Sequence, residues 1–316
     1  MKTGLRPPGL PAATADTTVP LLIVTFAVAL FGLAGVLGKL TALPAVIVVL
    51  GRTIIATPTL VIFAMVSGVS LTPTSRREAT VLVGQGLLLA VHWTTFFQSI
   101  NVSSVAIGLL SFSSFPLFTA ALEPLLLHHS PRPMQQLAAL LILPGVLLLV
   151  PSISLTNQVT VGVVWGLISG GTFALLTVIN RWLRRTVHSI TISIYQDGIA
   201  ALVLLPALFV VQSANLWRPN TLLLLLVLGI FCTALAHTLF ISGLGSISAQ
   251  AASLMASLEP VWGIVFAFVL LGEVPTARTL AGGSIIVLAT MLPTLWPIRR
   301  RSRLSESDAA PPLPPC

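Results

Sequence analysis

Six side chains that can carry charge or move a proton stand inside long apolar runs: Arg52, His92, Glu123, Asp197, His237 and Glu259. A buried carboxylate can hold an amine or a proton, and a guanidinium can grip a carboxylate through two parallel hydrogen bonds. An imidazole titrates near neutral pH. Trp93, next to His92, offers a ring face to a cation. The chain has no Walker loop, no His-Glu-x-x-His and no Gly-x-Ser-x-Gly elbow. Nor are Cys and His clustered at metal-ligand spacing. No enzyme, cofactor or metal centre is therefore expected, and the six residues point to binding and passage of a small molecule.

Their surroundings give them weight. Of 316 residues, 55% are hydrophobic and 8% charged, with a mean hydropathy of +1.01. Such a chain cannot cover itself with polar surface and belongs in a bilayer. A charge at the bilayer centre costs about 2.5–3.5 kcal/mol on insertion scales, so ionisable groups there face the protein interior. Apolar runs of spanning length recur at 19–38, 43–65, 79–97, 103–127, 134–150, 161–179, 190–211, 221–241, 249–271 and 277–295. They are too continuous for the alternating strands of a membrane barrel. The expected fold is an all-α integral membrane protein of ten transmembrane helices, the first retained rather than cleaved. Cys232 and Cys316 are placed where no disulfide is expected.

Depth along these runs separates the candidates. Glu259 is the eleventh of 23 residues in the ninth run and Arg52 the tenth of 23 in the second. For Glu259 two readings stand: a residue that binds an amine or carries a proton, or a carboxyl that bonds a neighbouring helix while Pro260 bends the span. Arg52 either clamps a substrate carboxylate or pairs with a buried acid. Asp197, with Tyr195 and Gln196, reads as a structural hydrogen-bond cluster near the cytoplasmic side, and Glu123 as a partner of Arg132 or another basic joint residue. His92 and His237 either sense pH or bond across helices. Trp165 and Trp262 are expected to line a cavity, and Trp182, Trp217 and Trp296 to anchor span ends. Gly32, Gly35 and Gly38, and Gly162, Gly166 and Gly170, mark faces for close helix packing.

Shifting the chain over itself by 144 residues lays Pro116 on Pro260 and Pro131 on Pro275. It also lays "LLLHHSPR" (125–132) on "VLLGEVPT" (269–276), Trp93 on His237 and Arg52 on Gln196. The two Leu-Glu-Pro triplets do not coincide, so Glu123 and Glu259 lie at different depths. Pro116 and Pro260 are the expected helix bends. Each half holds five spans, and an odd number inverts the second half relative to the first, with the site expected near midplane. The expected divisions are a cytoplasmic segment 1–18, a first repeat 19–150, a linker 151–160, a second repeat 161–297 and a basic, Pro-rich tail 298–316.

Charge sets the expected orientation. With the N-terminus inside, Lys2, Arg6, Arg76, Arg77, Arg132, Arg181, Arg184, Arg185, Arg299, Arg300, Arg301 and Arg303 fall inside, against Lys39, Arg218 and Arg278 outside. Both termini are then cytoplasmic. The net +8 is scattered over short joints rather than gathered on a face, so no nucleic acid partner is expected, while the basic tail can touch anionic lipid.

Two five-helix halves, with "SFPLFTAALEPLLLHHSPRP" closing the fourth span and "SLEPVWGIVFAFVLLGEVPT" the ninth, resemble the EamA family of the drug/metabolite transporter superfamily. The resemblance spans residue 19 to about 295. It implies a ten-helix, inverted-repeat exporter in a bacterial inner membrane, with a cavity lined by spans 1, 3, 4, 6, 8 and 9. The expected cargo is an amino acid or related zwitterion. The alternatives are a lipophilic or cationic drug, and a membrane interaction protein that carries nothing. The lipid bilayer is the expected surround, and proton coupling and homodimer formation are left open. The pattern departs from the family in one place: the Gly272-Glu273 pair has His128-His129 as its counterpart in the first half.

Overall fold

The computed structural model describes residues 18–73, 75–127, 133–152, 154–211, 213–247 and 249–295, whose regular structure is all helical. Arg132, His128, His129, Pro131, Trp296, most of the N-terminal segment and the tail lie outside the described residues. The helices are α1 (Thr18–Leu40), α2 (Ala45–Ser67), α3 (Arg76–Val102), α4 (Val105–Phe112), α5 (Phe115–Leu127), α6 (Pro133–Leu149) and α7 (Gln158–Leu183). They continue with α8 (Ser189–Leu204), α9 (Ala207–Val210), α10 (Pro219–Gly229), a π-helical turn (Ile230–Leu235), α11 (Ala236–Gly243), α12 (Ala249–Ala256), α13 (Glu259–Leu271) and α14 (Ala277–Leu295).

Side chains at the helix starts satisfy backbone donors that have no partner within the helix. Ser75 accepts from the Glu78 N–H at 3.2 Å, Ser104 from Ile107 at 3.2 Å and Asn157 from Val159 at 2.9 Å. Seven helical stretches are long and apolar enough to cross a membrane, and three shorter apolar ones run over Gln136–Leu149, Glu259–Leu271 and Ala277–Ala289. The ten apolar runs of the sequence thus become seven full-length stretches and shorter pieces. Proline interrupts two of these runs, Val105–Leu126, still long enough to cross, and the one that ends in the shorter Glu259–Leu271. Pro116 and Pro260 are the second residues of α5 and α13, and each lacks the N–H and clashes with the carbonyl four residues back. Those carbonyls belong to Phe112 and Ala256, the last residues of α4 and α12. Hence the helices are interrupted there rather than merely bent.

The 144-residue offset reappears in the backbone. It carries the bounds of α4 onto α12 and of α5 onto α13, and the starts of α2 and α6 onto those of α8 and α14. Packing follows the same exchange: α1 lies against α11 and α13, as α7 lies against α3, α4 and α5. The pairs α2 with α8 and α6 with α14 exchange into themselves. Glycine makes the closest crossings. A Cβ on Gly32 would stand 2.8 Å from the Gly263 amide, and one on Gly170 would stand 2.9 Å from the Phe112 carbonyl. The outer surface is apolar, with Met65, Val66, Phe209, Leu223 and Phe268 all more than half exposed. Charge is turned inward: Arg52, Asp197 and Glu259 are 2%, 0% and 3% exposed. Polar inside and apolar outside is the arrangement of a multi-pass membrane protein.

Candidate functional site

A small cavity of about 30 Å³, enough for one or two waters, has two of these inward groups, Arg52 and Glu259, in its wall. It draws on α1 (Phe31, Ala34), α2 (Arg52), α3 (His92, Trp93, Phe96), α4 (Phe112), α7 (Phe173, Thr177, Asn180), α11 (His237, Phe240) and α13 (Glu259). This set contains the expected spans and adds the second, through Arg52.

Arg52 is built into the wall. Its Nε donates to Thr233 Oγ1 at 2.7 Å and its Nη2 to the Cys232 carbonyl at 2.8 Å. Both partners belong to the π-helical turn, where Thr233 Oγ1 also donates to the Leu228 carbonyl at 2.7 Å. Widening the helix by one residue per turn loosens its own ladder and gives the guanidinium an acceptor. The guanidinium carbon sits 4.1 Å from the centre of the Trp93 ring, a cation–π contact. Among the described residues no carboxylate comes within ion-pair distance of Arg52, so of its two readings the internal pair is absent, and Arg52 lines the cavity. Glu259 borders the same cavity from the first position of α13, where the helix dipole favours an anion.

The repeat-related Trp93 and His237 touch. Their rings meet edge-on at 5.1 Å. Both rings line the cavity, so two residues aligned by the 144-residue offset meet in its wall. His92 turns elsewhere: its Nδ1 lies 3.0 Å from both the carbonyl and the hydroxyl of Ser169. Its ring packs 5.2 Å from that of Phe173 and 5.7 Å from that of Phe112. The phenylalanines form a continuous lining, Phe112 to Phe173 at 5.2 Å and Phe173 to Phe240 at 5.5 Å.

Several sequence expectations are corrected. The cluster expected around Asp197 forms around Gln196 instead, whose Nε2 donates to Gln85 Oε1 at 3.0 Å and Asn180 Oδ1 at 2.7 Å. Asp197 faces the other way, with Oδ1 3.9 Å from His237 Nδ1. Tyr195 is only partly buried, packed against the cluster of Leu82, Leu183, Val187, Ile192 and Ile241. Trp165 and Trp262 do not line the cavity. The buried stripe of α13 is Glu259, Gly263 and Ala267, and Trp262 stands one residue off it, 40% exposed and stacked on Phe266. Glu123 pairs with Arg181 in the last turn of α7, at 4.0 Å, a basic joint residue as expected, while Arg132 lies outside the described residues.

That pair belongs to one of two matching end contacts. At one end Lys39, in the last turn of α1, meets Glu273 Oε1 at 2.6 Å and the Ser103 carbonyl at 3.5 Å, while Glu273 Oε2 accepts from the Val105 N–H at 3.0 Å. At the other, Arg181 in the last turn of α7 donates to the Ile247 carbonyl and pairs with Glu123. Ser103 and Ile247 are equivalent under the 144-residue offset. Gly272 sets up the first contact: its left-handed φ of 67° ends α13 and turns the chain so that Glu273 faces α1.

Sequence reasoning did not find the π-helical partners of Arg52, the phenylalanine lining or the Asn180–Gln196–Gln85 network. Gln196 carried two signals, its alignment with Arg52 in the repeat and its place beside Asp197 in an expected hydrogen-bond cluster. Among the described residues no three His, Cys, Asp or Glu side chains could hold a metal ion.

The model of the EamA-like transporter family matches residues 18–150 and 160–295. Relatives include the uncharacterised transporter YwfM of Bacillus subtilis, 25% identical over 68% of this chain and 73% of that protein. The pseudopaline exporter CntI of Pseudomonas aeruginosa is 29% identical over 78% of this chain and 85% of its own. The S-adenosylmethionine uptake transporter of Rickettsia bellii is 27% identical over 72% and 76%. A solved crystal structure superposes with a TM-score of 0.69 at 17% identity, covering 91% of this chain and 100% of that one, which establishes the shared fold. Two matched stretches, one in each half, take in every residue of the cavity, and the chain belongs to the EamA-like transporter family of membrane transporters.

Proposed function

We propose that the protein exports a small organic metabolite, an amino acid or related zwitterion, by alternating access. One observation carries this reading: Arg52 and Glu259, of opposite sign, face one aromatic-lined cavity on the contact between repeat-related residues. A guanidinium can take a carboxylate and a carboxyl can take an amine, so a zwitterion satisfies both while leaving the net buried charge unchanged. The cavity now admits water and nothing larger, so cargo enters only after helices separate. The two end contacts, Lys39 with Glu273 and Arg181 with Glu123, are placed to open in alternation. The same reading arranges ten spans as two inverted sets of five in an inner membrane, with both termini cytoplasmic.

Named relatives include an exporter and an uptake transporter, so direction is to be measured. The test is the intracellular content of a metabolite panel in cells overproducing the wild type or Glu259→Gln. The wild type should selectively deplete one amino-acid-like class and the variant should not. Equal depletion by both would return Glu259 to a structural role. The phenylalanine lining favours a second reading, export of a lipophilic cation, in which Glu259→Gln abolishes efflux and Arg52→Ala spares it.

A further inference from the structure

Asp197 is the least explained group in the protein. It is fully buried, and neither carboxyl oxygen has a hydrogen-bond partner. His237 Nδ1, 3.9 Å away, is likewise without one. Burying a carboxylate with both oxygens empty carries a large desolvation cost, and native interiors rarely leave such groups unmatched. The fold does not need it. The neighbouring Gln196 ties α8 to α3 and α7, and α8 packs along α2 and α3 without help from Asp197. His237 lies between Asp197 and the cavity, which it lines beside Trp93. Asp197 is therefore one side chain removed from the space that cargo would occupy.

The charge balance points the same way. The groups within electrostatic range are Arg52 from α2, His92 from α3, His237 from α11, Cys232 from the π-helical turn and Glu259 from α13. With the histidines neutral and Cys232 a thiol, Arg52 offsets one of the two acids. One proton completes the balance. Glu259 lines the cavity, where water or cargo can reach it, whereas Asp197 lies off the cavity, fully buried with neither carboxyl oxygen bonded.

We propose that Asp197 and His237 form a proton-binding site, loaded from the cavity through the imidazole and separate from the groups that hold cargo. The imidazole gains a proton at Nε2 from hydronium in the cavity, leaving water, and gives up the proton on Nδ1, which faces Asp197. Its N–H bond breaks as the O–H bond of Asp197 forms, leaving neutral imidazole and neutral carboxylic acid. Direct transfer needs the 3.9 Å gap to shorten by about 1 Å to hydrogen-bond distance, within the reach of a side-chain rotation. The proton leaves by the reverse step when the cavity opens to the other side. This deepens the transport reading above by giving it a coupling ion.

The first test does not depend on cargo. The carbonyl stretch of a protonated, buried carboxyl is followed by infrared difference spectroscopy on the purified protein during a pH titration. The wild type should show a titrating band that Asp197→Asn removes and His237→Gln shifts in midpoint, with the Glu259 contribution identified through Glu259→Gln. A spectrum unchanged by Asp197→Asn would overturn the proposal. In liposomes, Asp197→Asn should retain counterflow of a labelled amino-acid mixture while its pH-driven accumulation falls to the level seen without a gradient. Accumulation equal to wild type, or loss of counterflow in a monodisperse variant, would also overturn it. If wild-type counterflow is itself absent, the transport reading fails, and the infrared band alone decides the proton site.

Discussion

At the scale of single residues, Arg52 does two jobs that a lysine cannot combine. Its planar fork bonds Thr233 and the Cys232 carbonyl while its face covers Trp93. Arg52→Lys should retain a charge yet lose cargo selectivity. Arg52→Ala leaves buried acceptors unpaired, each costing about 1–3 kcal/mol, and should lower the melting temperature as well as activity. A thermal melt alongside a competition assay with carboxylate-free analogues separates the two effects. A second residue-scale test lies outside the spans. His188 starts α8 and its ring accepts the Ile190 N–H at 3.3 Å, while burial, with Arg184 nearby, lowers its pKa below 6.5. Because folding depresses this pKa, its contribution is present above the unfolded value and lost as pH falls through the folded one. Melting temperature should therefore carry an acid-side decline that His188→Asn, which keeps a capping oxygen, removes. Much of the site was legible at this scale, because an ionisable residue in an apolar run stands out in any sequence. Thr233, Cys232 and the phenylalanines did not, since they are ordinary residues of membrane helices. Trp262 misled because its side is decided by one residue of register, about 100° around the helix.

At the scale of elements, the breaks between α4 and α5 and between α12 and α13 were legible through Pro116 and Pro260, whose ring chemistry acts locally. The end contacts were not, because they join residues from opposite repeats. For Glu123 the sequence offered Arg132 or another basic joint residue, and it is α7 that brings Arg181 to it. The Lys39–Glu273 contact is partly exposed, so its charge pair is worth about 0–1 kcal/mol. Lys39→Glu should therefore change transport rate by a few-fold rather than abolish it, and the swap Lys39→Glu with Glu273→Lys should recover most of the loss. Counterflow rates for the two single variants and the swap provide the check. Strictly additive losses would show that the two side chains act independently.

For the whole molecule, the membrane environment, the all-helical class and the family were legible because composition and run length answer to the bilayer rather than to details of packing. The full span count was less so. Seven helical stretches are long enough to cross, and the remaining apolar runs form shorter helices with prolines at Pro144 and Pro260. The 144-residue offset that aligned Trp93 with His237 aligns helix bounds and packing partners as well, and it brings those two rings together at the cavity. Central to the proposed function is that cargo passes through this cavity, held between Arg52 and Glu259. The most direct test is counterflow of individually labelled amino acids into liposomes containing purified wild type, Arg52→Ala or Glu259→Gln. The wild type should exchange at least one of them, and each variant should lose that exchange while remaining folded. Wild-type liposomes that exchange none, or variants that match the wild type, would contradict it.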